Sequence, residues 1–341
     1  MSVSADFTQL PSSTLRQELN LMKSIGVHWL RITVPWGRVQ HVREYPDKWK
    51  LIDRAMSAAA ARGMVVDAIV DNPPDWAAEH VPHVACKVQP PFNVTAYAEF
   101  TAALARRYSS TVLRAIELEN SPNLPVIWKK PDACAYAALM KAAYPRIKAA
   151  NSKVQVLTGG IGGTQSDGGS IPADAFLAGL YRNGAKGTFD VLSFHPYSYP
   201  CIPSQPCSKD RTWYHLPAVR SLMVQHGDGN KEIWATEFGA PTNGVAGDGH
   251  VDEQLQSDIL LAGLTEFRKY AWSGPFFAFT FRDYGTNPRR KSDWFGLVSH
   301  DLRHHKIAFD TYRKAATGRA QGRGTASGVM PATIASRPAR N

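Results

Sequence analysis

The chain has 341 residues, of which 44% are hydrophobic and 20% are charged, a balance typical of a folded globular protein, and no apolar run is long enough to predict a membrane span. The length allows one large α/β barrel or two medium domains. The net charge of +10 does not predict a nucleic-acid partner, because no basic stripe interleaved with aromatic residues occurs in the body of the chain. Much of the excess charge lies near the C-terminus, at Arg313, Lys314, Arg319, Arg323, Arg337 and Arg340.

Apolar strands alternate with amphipathic helices, the pattern of a parallel sheet wrapped by helices. A helix is predicted over Thr14–Ile25 and a first strand over His28–Val34. The helix predicted over Lys48–Arg62 ends at Gly63, a usual helix stop, and the apolar run Met64–Val70 predicts a strand buried on both faces. The later predicted elements are helices over Thr95–Tyr108 and Pro131–Ala150, and strands over Leu113–Asn120, Val154–Gly160, Phe189–Tyr197, Glu232–Gly239 and Pro275–Gly285.

These elements supply seven strands, and an eighth is expected near Val39–Trp49. We therefore predict an α/β fold, a single (β/α)8 TIM barrel over residues 1–316. From about Gly318 the composition shifts to Gly, Ala, Ser, Thr, Pro and Arg with few apolar residues. Residues 317–341 are accordingly predicted to form a basic, disordered tail.

The four cysteines permit two disulfides. Cys201 and Cys207 flank a Pro-rich segment and predict a loop staple, whereas Cys86 and Cys134 fall in neighbouring strand-to-helix loops, where pairing depends on geometry. Disulfides favour an extracytoplasmic or secreted location, although the segment MSVSADFTQLPSS does not read as a signal peptide. No CxxC motif occurs, so a zinc site is disfavoured, and His304 and His305 lack an accompanying acid or cysteine at a useful spacing.

In a closed barrel of parallel strands, catalytic groups gather at the C-terminal strand ends, because those ends form one mouth. Residues able to carry chemistry lie at these predicted ends. They are Arg31, Asn72, Trp76, Asn120, Ser121, His195, Tyr197, Glu237, Arg282 and Asp283. Their convergence predicts an active site at that mouth.

Four of these strand ends, RITVPW, IELENSPN, SFHPYSY and WATEFGAPT, resemble glycoside hydrolase clan A, and within it the family 39-like enzymes, including bacterial exopolysaccharide glycosidases. The resemblance covers roughly Leu15–Lys314 and includes the closing stretch FGLVSHDLRHHKIAFDTYRKA. It implies a retaining β-glycosidase that acts on an oligo- or polysaccharide or a glycoconjugate by double displacement, with neither a metal nor an organic cofactor.

By this resemblance Glu237 is the nucleophile and Asn120 hydrogen-bonds the sugar 2-hydroxyl. His195 and Tyr197 are expected to orient Glu237, and Arg31 is expected to hold it ionised. The alternatives are a satisfied core position for His195 and a helix-to-sheet ion pair for Arg31. Trp36 and Trp76 stack on sugar rings or pack in the core, and Asn72 and Asp283 are further candidates for substrate binding.

Ser121 occupies the acid/base position, because family members typically show WNEPN where this chain has ENSPN. A hydroxyl cannot replace a tuned carboxylic acid, so the expected loss is roughly 10²–10⁴-fold on poor leaving groups. Three explanations stay open: an introduced inactivating substitution, a glycan-binding pseudoenzyme on the same barrel, or another acid. Glu119 is the first candidate substitute, because it lies two residues earlier on the same strand face, and Asp283 or a loop carboxylate comes next.

Overall fold

A computed structural model describes residues 1–3, 7–43, 48–79, 81–163, 168–205, 211–243 and 249–322 of the protein. Strands and helices alternate through these ranges. The strands are β1 (Trp29–Pro35), β2 (Val65–Asp71), β3 (Leu113–Asn120), β4 (Gln155–Gly160), β5 (Leu192–Phe194), β6 (Ile233–Phe238) and β7 (Ser273–Ala278). The helices are α1 (Ser12–Ser24), α2 (Trp36–Val39), α3 (Lys50–Ala60), α4 (Asp75–Glu79), α5 (Val94–Arg107), α6 (Ala133–Ala150), α7 (Ala173–Arg182), α8 (Leu216–Gln225), α9 (Glu253–Phe267) and α10 (Ile307–Gly322). Short 3-10 helices occupy Phe7–Gln9, Thr212–His215 and Lys291–Trp294.

Side-chain caps fix where three of the larger helices begin. Asn93 accepts hydrogen bonds from the first turn of α5, and Asp132 does the same for α6. Asp252 caps α9, accepting from the backbone of Leu255 at 2.7 Å. These residue types are preferred at helix starts because their side chains satisfy backbone N–H groups that have no partner within the helix. Among the described residues, no helix has the length and apolarity needed to cross a bilayer.

Neighbouring strands pair in parallel and in chain order. β1 to β4 form one sheet and β5 to β7 form another. Parallel bridges from Leu157 to Val191 and from Ile161 to Phe194 join β4 to β5. Seven strands therefore follow one another around the barrel, and their C-terminal ends lie at the same edge.

The N-terminal segment Met1–Val3 closes the barrel between β7 and β1. Ser2 forms a parallel bridge with Arg31. On its other side, the backbone N–H of Ser2 donates to Ala278 at 3.0 Å, and the N–H of Phe281 donates to Ser2 at 3.1 Å. This segment takes the eighth strand position, as the fold requires.

The prediction of an eighth strand near Val39–Trp49 is therefore wrong, because Met1–Val3 takes that position; residues 44–47 of that segment lie outside the described residues. Val39 is the last residue of α2, and Trp49 directly precedes α3. A segment as short as Met1–Val3 carries no periodic pattern, so strand counting from sequence started at β1 and sought the missing strand elsewhere. Most other predicted elements are present, but Phe189–Tyr197 contains only the short β5, and β7 ends at Ala278 rather than continuing to Gly285.

Apolar side chains fill the lower part of the barrel interior. Trp29 of β1 packs edge-on against Trp234 of β6, with ring centroids 5.0 Å apart. The same apolar cluster also contains Ala115, Leu157, Val191 and Phe277. Side chains on one face of a strand recur every second residue, so the next positions toward the mouth include Arg31, Glu117 and Thr236. A polar layer thus lies directly above an apolar one.

The last helix, α10, continues to Gly322 and so passes the predicted domain end at Ala316. The rest of the predicted tail, residues 323–341, lies outside the described residues.

One predicted disulfide is present. Cys86 and Cys134 are bonded, with their Cα atoms 5.7 Å apart and a sequence separation of 48. The bond joins the loop after α4 to the start of α6. The other predicted pair includes Cys207, which lies outside the described residues.

Replacing both Cys86 and Cys134 by alanine is expected to lower the free energy of unfolding by about 4 kcal/mol, because the cross-link restricts the unfolded chain over a loop of this length. Urea unfolding of the double variant and the parent, followed by circular dichroism, measures the difference. Equal unfolding free energies would show that the bond contributes nothing to the stability of the barrel.

Candidate active site

The carboxylate of Glu237, near the end of β6, is held from two sides. Oε1 accepts a hydrogen bond from Arg31 Nη1 at 2.7 Å, and Oε2 accepts one from the Tyr197 hydroxyl at 2.9 Å. His195 Nδ1 lies 3.5 Å from Oε2. Glu237 is only 8% exposed, so its orientation is fixed in a site that admits little water.

The charge state of Glu237 follows from opposed effects. Burial alone would raise the pKa of this carboxyl. The hydrogen bonds from Arg31 and Tyr197 and the charge of Arg31, joined by the charge of His195 once acid protonates it, outweigh burial and hold the pKa of Glu237 below its usual range. Glu237 is therefore a carboxylate at neutral pH, the form in which it can act as a nucleophile.

Arg31, on β1, connects the acids of the site. Its Nε and Nη2 donate to the two carboxylate oxygens of Glu117 at 2.8 Å and 2.9 Å. Nη1 donates to Glu237, and Nη2 also donates to Asn120 Oδ1 at 2.9 Å. A guanidinium suits this role because its planar donors fit carboxylates in pairs. All these partners lie on strands, so the helix-to-sheet ion pair does not describe Arg31.

Glu117, in the middle of β3, was not predicted from the sequence. It is fully buried, and its Oε1 also accepts from the Gly160 N–H at 2.8 Å and from the Ser193 hydroxyl at 2.9 Å. A buried carboxylate is tolerated when its charge and lone pairs are compensated in this way. The sequence signal that could have identified Glu117 was a glutamate with an apolar residue on each side in the interior of a predicted strand.

Asn120 ends β3 and is oriented by Arg31. Because a guanidinium can only donate, the Asn120 atom that it contacts is the carbonyl oxygen. The NH2 group of the amide then points away from Arg31, where it is available as a donor. The role of Asn120 toward a sugar hydroxyl stays a prediction.

Ser121 follows β3 and lies beside His195. Its Oγ is 3.3 Å from His195 Nδ1, and His195 Nε2 is 3.3 Å from Arg31 Nη2. Burial and the charge of Arg31 lower the pKa of His195 despite the opposing charges of Glu237 and Glu117, so the imidazole is neutral. Since Arg31 can only donate, Nε2 must accept, and the imidazole proton lies on Nδ1.

This tautomer defines what Ser121 can do. The Nδ1–H of His195 faces Ser121 Oγ and Glu237 Oε2, so the serine oxygen accepts and its own hydrogen is left to donate elsewhere. His195 cannot then remove a proton from Ser121, as a histidine does in a serine hydrolase. Ser121 is a hydrogen-bond donor, and an acyl-transfer triad is not formed.

Gly160, at the end of β4, gives His195 its place. A Cβ atom at Gly160 would collide with the His195 ring. The backbone N–H of the same glycine donates to Glu117. A residue without a side chain therefore lets the imidazole approach β4 closely while it helps to hold the buried carboxylate.

Aromatic rings form a wall on the Tyr197 side of Glu237. The Tyr197 ring meets Tyr199, Phe295 and Phe279 edge-on, with centroids 5.6 Å, 5.9 Å and 6.3 Å apart. Such contacts fix ring positions and add apolar surface beside a polar group. The site thus combines an ionised carboxylate with aromatic surface.

The expectation that Trp36 forms a sugar platform is wrong. Trp36 is fully buried and stacks on Phe100, with centroids 5.8 Å apart. A ring without an exposed face cannot stack on a sugar, so Trp36 has a packing role. Trp76 is half-buried, its indole N–H donates to the Gln40 carbonyl, and the Arg43 guanidinium lies 5.8 Å from its ring centroid. Trp76 therefore remains a candidate at the rim.

Asn72 is exposed beyond β2, and its amide donates to Asp71 Oδ1 at 2.7 Å. Alternation along β2 places Asp67, Ile69 and Asp71 on the face that lines the barrel interior. Asp71 is the last of these and is half-buried at the mouth. The predicted residue, Asn72, is thus the chain neighbour of Asp71, which lies on the face that lines the barrel interior.

Asp283 and Arg282 have other partners. Asp283 Oδ1 accepts from Lys306 Nζ and from the Gly296 N–H, both at 2.7 Å. Arg282 forms an ion pair with Glu18 of α1. These bonds fasten the segment after β7 to the surrounding chain. The contacts of Asp283 therefore favour a structural role over the predicted substrate contact.

Glu119, the candidate substitute acid, is 3% exposed. Its backbone N–H donates to the Tyr97 hydroxyl at 2.9 Å, and its φ of 66° departs from strand geometry. The carboxyl atom Oε1 is buried and has no hydrogen-bond partner among the described residues. Burial, with the charge of Asp71, raises the pKa of Glu119 well above its usual range, which favours the protonated carboxyl.

Among the described residues, metal-ligand spacing is found at Cys86, Asp132 and Cys134. The two sulfurs are bonded to each other, so they are not free to bind an ion. His304 contacts Glu253 at 2.7 Å on the surface.

No protein-family model and no curated protein matches the sequence. Solved structures match over most of the chain. A family 39 glycoside hydrolase from Bacteroides cellulosilyticus superposes with a TM-score of 0.70 at 20% identity, covering 93% of this chain and 62% of the other. A GH39 enzyme from Xanthomonas axonopodis pv. citri gives 0.66 at 17% identity, covering 93% and 66%. A monomeric β-xylosidase from Caulobacter crescentus gives 0.65 at 16% identity, covering 92% and 66%.

These similarities confirm the (β/α)8 barrel and, at the level of the fold, the resemblance to family 39-like enzymes of clan A. This chain spans less than two thirds of the length of those three structures.

Proposed function

We propose that the protein is a glycoside hydrolase of the retaining type, in which Glu237 is the nucleophile. The proposal is carried by one observation: a buried, ionised carboxylate at a strand end, with one oxygen bonded to Arg31 and the other to Tyr197. The amide of Asn120 and the hydroxyl of Ser121 add hydrogen-bond donors on the neighbouring strand end. The fold shared with glycoside hydrolases is consistent with this reading.

In the first step a Glu237 oxygen attacks the anomeric carbon, and the bond to the leaving oxygen breaks, which produces a covalent glycosyl-enzyme. Arg31 and Tyr197 hold the attacking carboxylate in line. Asn120 donates to a sugar hydroxyl beside the reacting carbon, where such bonds strengthen in the transition state. In the second step the oxygen of a water molecule bonds to the same carbon, the bond to Glu237 breaks, and the excess proton of the water is released.

Ser121 limits the substrates. Its hydroxyl can donate a hydrogen bond to the leaving oxygen but cannot transfer a proton at working pH, so poor leaving groups are expected to react slowly. Good leaving groups need no proton and form the intermediate without an acid. The second candidate function is a glycan-binding pseudoenzyme. It is favoured by the serine at position 121, because a site that holds a sugar but has no acid can bind the sugar without cleaving it.

The substrate class is an oligo- or polysaccharide or a glycoconjugate. The chemistry needs no metal or organic cofactor, since a carboxylate and hydrogen-bond donors carry both steps. An extracytoplasmic or secreted location is supported by the Cys86–Cys134 disulfide, because such bonds persist in oxidising compartments.

A panel of dinitrophenyl glycosides tests the proposal. At least one sugar should release dinitrophenol, and added azide should speed release where breakdown of the intermediate limits the rate, because azide attacks without a general base. No release across the panel, with saccharide binding measured by calorimetry, would instead favour the pseudoenzyme.

A further inference from the structure

Two acidic residues, Asp71 and Glu119, lie near the C-terminal ends of the neighbouring strands β2 and β3. The last paired residues of these strands are Val70 and Leu118, so the backbone positions of Asp71 and Glu119 follow at the same edge of the sheet, and the charge of Asp71 acts on the Glu119 carboxyl. Ser121 comes two residues after Glu119, at the position where a retaining site requires a proton donor. Neither Asp71 nor Glu119 takes part in the mechanism described above.

The two carboxyls differ in access. Asp71 is half-buried and faces the barrel mouth, and its Oδ1 accepts from the exposed Asn72. Glu119 is 3% exposed, and its unpartnered Oε1 is out of contact with solvent. Asp71 is thus the outer member of the pair and Glu119 the inner one.

The groups around the pair favour a bound proton. Burial raises the pKa of Asp71 to about 7, with Glu117 acting in the same direction, while the hydrogen bond from Asn72 and the charge of Arg31 oppose it. Asp71 in turn raises the pKa of Glu119. Tyr97 of α5 and Tyr136 of α6 are the titratable groups that the packed helices present to Glu119, and burial raises the pKa of both phenols, so they stay neutral.

We propose that Asp71, with Glu119 behind it, holds the proton that Ser121 cannot supply and donates it to the leaving oxygen of the glycoside. This inference rests on the proposed function and names a further catalytic residue for it. Asp71 is assigned the donor role because it is the member that reaches the mouth. The carboxyl of Glu119 is the second protonated acid of the pair and lies on the inner side of Asp71.

As a Glu237 oxygen bonds to the anomeric carbon, the electron pair of the breaking carbon–oxygen bond passes to the leaving oxygen, which takes the proton of Asp71. Asp71 is left as a carboxylate. In the second step it accepts a proton from the attacking water, whose oxygen bonds to the anomeric carbon as the bond to Glu237 breaks. Both carboxyls then return to their starting states.

Asp71 must be protonated to donate, and its protonated fraction falls as pH rises through about 7. Hydrolysis of a glycoside with a poor leaving group should therefore decline above that pH, whereas turnover of the dinitrophenyl glycoside of the same sugar should show no such decline. Asp71→Asn is expected to lower kcat/KM on the poor leaving group at least tenfold, part of the roughly 10²–10⁴-fold that acid catalysis contributes. It should also abolish the alkaline decline and leave kcat/KM on the dinitrophenyl substrate, which reports the first step alone, nearly unaffected, whereas kcat on that substrate should fall because the attacking water loses its base.

Three further variants sharpen the test. Asn72→Ala removes a hydrogen bond that lowers the Asp71 pKa, so the alkaline decline should move to higher pH. Glu119→Gln removes the inner carboxyl and should change the position of the same decline. Asp75→Asn, an exposed carboxyl at the start of α4, is the matched control and should leave both profiles unchanged.

Unchanged hydrolysis of the poor leaving group by Asp71→Asn would overturn the proposal, as would a wild-type protein that turns over only dinitrophenyl glycosides. If Glu237→Gln leaves dinitrophenyl turnover intact, the proposed function itself fails. A readout without turnover is the infrared C=O band of protonated carboxyls, compared between wild type and Asp71→Asn. The difference should titrate near pH 7, and its absence would also overturn the assignment.

Discussion

Replacing Glu237 by glutamine is expected to abolish turnover of a dinitrophenyl glycoside, with a loss on the order of 10⁴–10⁶-fold in kcat, the scale seen when a nucleophile is removed from other hydrolases. An amide cannot form the glycosyl-enzyme, because it is neutral and far less nucleophilic than a carboxylate. Glutamine keeps the size of the side chain and can still meet Arg31 or Tyr197 through its carbonyl oxygen. The loss would therefore report chemistry rather than a collapsed site.

The measurement is the initial rate of dinitrophenol release by wild type and Glu237→Gln, with circular dichroism as the check on folding. Glu266→Gln is the matched control, because Glu266 pairs with Lys269 on the surface and lies on α9. Equal rates for Glu237→Gln and wild type would remove Glu237 from the nucleophile role.

Glu237 also sets the acid side of the pH profile. Because Arg31, His195 and Tyr197 hold the pKa of Glu237 below its usual range, the carboxylate stays ionised in weak acid. Activity on the dinitrophenyl substrate should persist as pH falls and be lost only when pH passes below that lowered pKa. A decline that begins near neutral pH would show that a different group controls the first step.

Replacing Ser121 by glutamate is the second large expected effect. The variant should hydrolyse glycosides with poor leaving groups roughly 10²–10⁴-fold faster than wild type, toward the lower end if Asp71 already supplies part of the acid. The reason is position: residue 121 lies beside His195 Nδ1, the same atom that lies near Glu237 Oε2. A carboxyl there would flank the leaving oxygen opposite the nucleophile, as a retaining site requires.

Rates are compared on one sugar with a methyl and with a dinitrophenyl leaving group. Ser121→Ala is the matched control: it removes the hydroxyl without adding an acid and should not gain activity on the methyl glycoside. In the Ser121→Glu background, Asp71→Asn should cost little, because the new carboxyl makes Asp71 dispensable. A Ser121→Glu protein with no gain on any accepted sugar would contradict the assignment of this position.

The fold and the site were predictable to different depths. Glu237, His195 and Tyr197 could be placed together because parallel strands bring their C-terminal ends to one mouth, and motifs marked those ends. Glu117 was missed, because its one signal, a glutamate between apolar residues in a strand, does not identify the partners that compensate its burial. The tautomer of His195 also depends on Arg31, a contact between residues 164 positions apart.

Other misses have specific causes. Asn72 stays a prediction: it is exposed just beyond β2, and only its chain neighbour Asp71 lies on the strand face that lines the barrel interior. Trp36 was assigned to the cleft because it follows β1 directly, but α2 begins at that residue and turns the ring into the core. The strand that closes the barrel, Met1–Val3, is held by its backbone bonds to β1 and the segment after β7 rather than by a pattern of its own.

The most direct test of the central claim is the site of covalent attachment. A dinitrophenyl 2-deoxy-2-fluoroglycoside of the accepted sugar should label the wild-type protein. The dinitrophenyl leaving group lets Glu237 attack without an acid, and the fluorine slows breakdown of the intermediate, so the intermediate accumulates. Peptide mass spectrometry should place the added sugar on Glu237, and Glu237→Gln should remain unlabelled. Attachment of the sugar to any other residue, or equal labelling of Glu237→Gln, would contradict the account.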